Sequence, residues 1–186
     1  MIWRVFDKLF RPLAVVCGVL VWLSIVPAVA ASPFGQGKFG AQVPFGSLTS
    51  LTISLGSNVS MSLAPSGSTF VGNGSHTLTV TSTDVEGYSL YIYGASGTSM
   101  SNGTSTIPAS SNTSAGALST NTWGYNTDGS TNFIGLTSTP VLLKTATGPY
   151  ESGDNTTVTY GAITDITKTN GDYTVTVTYT AVALNQ

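Results

Sequence analysis

The chain has 186 residues, of which only 8% are charged, and a formal net charge of −2. A single cysteine and a single histidine exclude a disulfide framework and a thiolate metal centre, and leave little for nucleophilic or acid–base chemistry. Six basic residues, with no cluster beyond the N-terminus, exclude the cationic surface that nucleic-acid phosphates or an anionic bilayer require.

At the N-terminus Arg4, Lys8 and Arg11 precede an uncharged apolar run from Pro12 to Ala31 that contains Ala28-Val29-Ala30. Basic segment, apolar run and small residues in that order define an export leader, residues 1–31, cut after Ala30 or Ala31. Pro27 breaks the apolar helix just before the small residues. The run is also about as long as a bilayer-spanning helix, so a retained signal anchor is the alternative and the one route to a membrane. Cys17 lies inside this segment and leaves with it. The exported chain, about 150 residues, is long enough for one domain with a sizeable core. It keeps Lys38, Lys144 and Lys168 against Asp84, Glu86, Asp128, Glu151, Asp154, Asp165 and Asp172, three minus seven, or −4.

Residues 32–46, SPFGQGKFGAQVPFG, space Phe34, Phe39 and Phe45 among turn formers and read as an extended arm. Two roles fit it: a flexible linker, or an arm whose phenylalanines dock on a neighbouring subunit. Residues 47–186 then alternate with period two, rich in Thr, Val and Tyr, as half-buried strands do. Leu51, Ile53 and Leu55 share one face, as do Val59, Met61 and Leu63, then Leu78 and Val80, and then Tyr88, Leu90 and Ile92. Weaker strands fall in 118–125, 132–136 and 141–146. Val158, Tyr160 and Ala162 follow, and the clearest run is the last, where Tyr173, Val175, Val177, Tyr179 and Ala181 alternate with threonines. Turn signals stand at Pro65-Ser66-Gly67, Gly72-Asn73-Gly74, Asp128-Gly129, Ser152-Gly153-Asp154 and Asn170-Gly171. The stretch 95–116, mostly Ser, Thr, Asn and Gly, reads as a long exposed loop. Seven to nine short strands with no helical period predict an all-β antiparallel β-sandwich, Ig-like or a related Greek key, with a barrel as second choice.

Little in the chain points to catalysis. His76 alternates with Leu78 and Val80 and is expected to pack at the start of a strand. The carboxylates are scattered, with no calcium loop and no H-E-x-x-H motif, so no metal or other cofactor is expected. Aromatic residues are the better candidates for contact. Trp123 and Tyr125 share one side of a short strand, and Tyr91 and Tyr93 lie opposite the Leu90/Ile92 face. Such a row fills a core or stacks on a ligand or partner. Asn58, Asn73, Asn102, Asn112 and Asn155 each stand in an Asn-x-Ser/Thr sequon.

The segments Gly87-Tyr88-Ser89-Leu90-Tyr91-Ile92, Trp123-Gly124-Tyr125, Val158-Thr159-Tyr160-Gly161 and Tyr173–Ala181 together resemble a group of little-characterised bacterial secreted surface proteins. More distantly they resemble WxL-type cell-wall-associated domains. The likeness covers about residues 75–184 and implies an extracellular β-sandwich at the cell surface; neither Trp-x-Leu motif is present, since Trp123 precedes Gly124. The expected function is that of a non-enzymatic structural protein that associates with itself or another surface protein through strand edges or its arm. The contact candidates are Tyr91, Tyr93, Trp123, Tyr125, Phe34, Phe39 and Phe45. The alternative is an adhesive or glycan-binding module.

Overall fold

Side chains branched or ringed at Cβ suit a pleated, half-buried surface better than a helix. The computed structural model describes residues 49–184, which hold ten strands and no helix. The expected leader and the expected arm, with Phe34, Phe39 and Phe45, lie outside the described residues. The strands are β1 (Ser50–Leu55), β2 (Ala64–Ser66), β3 (Thr69–Thr83), β4 (Gly87–Tyr93), β5 (Met100–Ser101), β6 (Thr106–Ile107), β7 (Thr122–Asn126), β8 (Val141–Thr147), β9 (Tyr150–Asp165) and β10 (Thr178–Leu184). They exceed the expected seven to nine because β2, β5 and β6 are only two or three residues long.

All ladders are antiparallel. One sheet runs β1-β3-β9-β7, with β2 also beside β3, and the other runs β10-β4-β8. Neither closes into a barrel. The two sheets face each other as a sandwich, whose core is built by alternation. Leu78, Val80, Trp123, Tyr125, Val158 and Tyr160 come from the first sheet, and Tyr88, Leu90, Ile92 and Ala146 from the second. Trp123, Leu78, Leu90 and Val158 have no exposed surface.

Several turn signals have other work here. Gly67 and Gly129 do sit in turns, with φ of 62° and 67°. Gly72 and Gly74, however, lie inside β3 on its inward face, because residues 59–63 run directly over them. A Cβ on Gly72 would stand 2.5 Å from the Ser62 carbonyl oxygen, and one on Gly74 2.8 Å from Val59 Cγ1. Glycine is needed for close approach, and Val59, Met61 and Leu63 pack on the core as an extended segment outside any ladder. Gly153, with φ of 86°, forms a bulge within β9, where the register to β3 slips between Val80 and Ser82. Asn170-Gly171 makes no hairpin, since β9 and β10 belong to different sheets.

The segment 95–116 is also more than an exposed loop. Met100, Ile107 and Ser110 are buried, and β5 and β6 pair as a short ladder. Asn102 Oδ1 accepts from the Thr104 and Ser105 amides, so a polar side chain does the turn-making that composition alone reads as looseness. Asn112 Nδ2 donates to the carbonyls of Gly116, Ala117 and Phe133, which ties its sequon amide into the loop.

Two substitutions check this packing by urea unfolding. Gly72→Ala is expected to lower stability by about 1–3 kcal/mol, because the obstructing atom is backbone and cannot swing away. Trp123→Ala removes the largest core side chain and is expected to lose about 3–5 kcal/mol.

Candidate functional site

Alternation decides where each aromatic candidate goes. In β7, Trp123 and Tyr125 point inward and are 0% and 2% exposed. Trp123 donates its Nε1–H to the Thr98 carbonyl at 3.0 Å and stacks at a tilt on Tyr160, centroids 6.2 Å apart. Both side chains are therefore spent on the core. Their motif neighbours are structural too. Trp123, Gly124 and Tyr125 stand opposite Ala162, Gly161 and Tyr160, so the two glycines face each other across the ladder. Phe133 covers both: a Cβ on Gly161 would lie 2.4 Å from its ring, and one on Gly124 3.0 Å from its Cβ.

Tyr91 and Tyr93 lie on the opposite, outer face of β4 and are half-buried. Tyr91 stands between Thr180 of β10 and Leu142 of β8. Leu142 is 54% exposed and Val182, opposite Ser89, is 49% exposed. The outer face of the smaller sheet thus carries a patch of two phenol rings and two aliphatic side chains. Sequence alternation located the tyrosines; Leu142 is there because a bulge between Leu90 and Tyr91 shifts β8 by one residue, which no local pattern announces.

Two polar groups cross the sandwich interior. His76 sits in the middle of β3, with Nε2 2.9 Å from the Tyr179 hydroxyl, which in turn meets the Tyr160 hydroxyl at 2.5 Å. Burial pushes the Tyr160 phenol up to about 12, and pushes Tyr179 up as well, with Tyr160 adding to the effect. Both stay protonated and serve as hydrogen-bond links. The second group joins β8 to β9: Lys144 Nζ donates to Asp154 Oδ1 at 2.7 Å, and Tyr88 donates its hydroxyl to Asp154 Oδ2 at 2.6 Å. Burial raises the Asp154 carboxyl, but the hydrogen bonds from Lys144 and Tyr88 outweigh it and hold the group below its ordinary value. An open polar depression over this pair is lined by Thr127, Leu143, Asn155 and Thr157. Among the described residues no cluster of His, Cys, Asp or Glu is arranged to hold a metal ion.

The sheet edges differ sharply. The outer edge of β7 is covered, since Trp123 and Tyr125 exchange backbone hydrogen bonds with Pro108, Ser110 and Ile134. β8 is interrupted by its bulge. Among the described residues β1 and β10 also end their sheets, and the register of β10 shows which of its backbone groups face out. Its even-numbered residues turn their backbone toward β4: Leu184 O accepts from Glu86 N, and upstream Thr174 exchanges both bonds with Ser101. The odd-numbered residues from Tyr173 to Ala183 therefore aim their N–H and C=O groups outward, and among the described residues no strand lies beyond β10. Their side chains face inward yet are only half-buried, as are Leu51, Ile53, Val59, Met61 and Leu63 on the β1 side. The core is finished at the β7–β8 flank and unfinished at the β1–β10 flank.

No family model and no curated protein matches the chain. Among solved structures, a chain of a chaperone-tip adhesin complex vital for activation of CFA/I fimbriae biogenesis is similar over 73% of this chain and 42% of its own length, at 11% identity and a TM-score of 0.48. The present chain thus spans less than half of that one, and a likeness of this size bears on neither partner nor activity.

The Asp154 cluster sets a pH dependence. A carboxyl depressed in the folded state stabilises fully above its unfolded pKa of about 3.9, and that contribution is lost as pH falls through the lower folded value. Asp154→Asn is expected to lower stability by about 1–3 kcal/mol at pH 7. The gap to the parent protein should narrow below about pH 4 in urea unfolding followed across pH.

Proposed function

We propose that this is an exported, non-enzymatic structural protein of the bacterial cell surface, which associates with its own kind or with another surface protein through an exposed sheet edge. The observation that carries the reading is the β1–β10 flank. There a row of backbone groups with no strand partner among the described residues borders apolar side chains that remain half open to water. Exposed edges of this kind are templates for strand addition. Support for export comes from the order of basic, apolar and small residues in 1–31. A non-enzymatic role is supported by His76, whose ring nitrogen is committed to Tyr179 in the sandwich interior. The weakly charged Thr- and Ser-rich exterior and the motif resemblance favour the surface location.

A second reading rests on the Tyr91–Tyr93–Leu142–Val182 patch: an adhesive face on which a sugar ring stacks against the phenols.

Size-exclusion chromatography with light scattering and electron microscopy of the exported protein are expected to reveal oligomers or fibres. A strict monomer at every concentration and salt tested sinks the first reading. For the second, binding on a glycan array is expected to vanish in the Tyr91→Ala/Tyr93→Ala double variant, and an array blank with the parent protein removes it.

A further inference from the structure

The chain itself carries a segment matched to the open flank. Within the arm, Phe39, Ala41, Val43 and Phe45 alternate with Lys38, Gly40, Gln42 and Pro44, an apolar face of period two suited to lying on a sheet edge with its side chains in a core. Resting on the assembly reading above, we propose that this stretch of one copy docks as an added strand along the β10 edge of a second copy, Tyr173–Ala183, and completes its core.

Length and chemistry agree. Eleven residues from Tyr173 to Ala183 span about 33 Å of edge at about 3.3 Å per residue, and the fifteen residues 32–46 reach about 50 Å when extended. The inward residues of the edge aim their backbone outward, so in an antiparallel addition the inward residues of the arm aim theirs back. Phe39, Ala41, Val43 and Phe45 would make the ladder bonds. Pro44 would turn its missing N–H away, as a proline at a sheet edge must. In a parallel addition the parity reverses, and Pro44 would face β10 with no donor.

Direction then selects a second copy over the chain's own arm. β1 begins at Ser50, opposite Thr83, and the Thr49 hydroxyl reaches the Asp84 carbonyl. β10 ends at the same end of the sandwich, with Leu184 opposite Gly87. The arm enters β1 from that end. Folded back onto its own β10 through the short link 46–49, it would run parallel to β10, the direction that wastes Pro44. A separate molecule's arm is free to approach antiparallel.

The test is complementation between two full-length variants. Val175→Pro removes one outward N–H from the edge and leaves the arm intact; Val43→Asp with Phe45→Asp spoils the arm and leaves the edge intact. Each alone is expected to be monomeric by light scattering, with a melting transition retained by circular dichroism. Their mixture is expected to form a one-to-one dimer, because the sound arm of one variant meets the sound edge of the other. If both variants assemble as the parent does, this site is wrong while assembly stands. If the parent protein is itself monomeric, both proposals fall. A second readout places the contact. Cys17 is the one native cysteine, so an Ala41→Cys/Val177→Cys variant that also carries Cys17→Ser, oxidised, should give disulfide-linked dimers and a ladder above them. Oxidation confined to single chains would put the arm on its own molecule and overturn the proposal, as would no cross-link from any arm position 39–45.

Discussion

The pairing of β3 with β9 is the constraint on which everything else hangs. These two strands, Thr69–Thr83 and Tyr150–Asp165, run together from Thr69 opposite Asp165 to Ser82 opposite Tyr150. They supply Leu78, Val80, Val158 and Tyr160 to the core, carry β1 and β2 on one side and β7 on the other, and present the inner face on which the second sheet rests. With no cysteine among the described residues, this ladder and the side chains it buries must hold the fold without covalent help. The cross-sheet groups add direction. Lys144–Asp154–Tyr88 and His76–Tyr179–Tyr160 each join one sheet to the other through satisfied hydrogen bonds, and a relative slip of the sheets would strand buried polar atoms.

What the sequence made legible follows from physical locality. Alternation along a strand is visible in the strand, so the all-β class, the inward set Leu78, Val80, Leu90 and Ile92, and the outward Tyr91 and Tyr93 were all readable. Decisions that depend on a distant segment were hidden. Gly72-Asn73-Gly74 has the composition of a turn, and only the passage of residues 59–63 across β3 reveals that its glycines make room. Gly124 and Gly161 are 37 residues apart in number, and nothing local says that Phe133 lies over both. For Trp123 the sequence favours core over contact, and the structure bears this out through Ala162, Tyr160 and Thr98.

The final alternating run makes the same point from the other side. From Tyr173 to Ala181 it has the pattern of a continuous strand, yet the ladder with β4 begins only at Thr178, because β4 ends at Tyr93 and the chain turns away at Gly94. Among the described residues the stretch 173–177 keeps the alternating pattern but meets a backbone partner only at Thr174, which bridges to Ser101. Among the described residues no strand lies along the outer side of β10, and this separates the β10 flank from the covered edge of β7.

The sequence separation of the central ladder also governs how the molecule comes to exist. Thr77 pairs with Thr157, eighty residues later, so loop closure must precede any reward from that pairing, and topologies of this kind fold slowly. A chain that emerges N-terminus first presents β3 and β4, rich in threonine and apolar residues and poor in charge, well before β9 arrives to cover them. During that interval the protein is a set of unsatisfied strands in company with identical neighbours. Its fifteen-residue β3 then stays open to mispairing until the C-terminal half supplies β9.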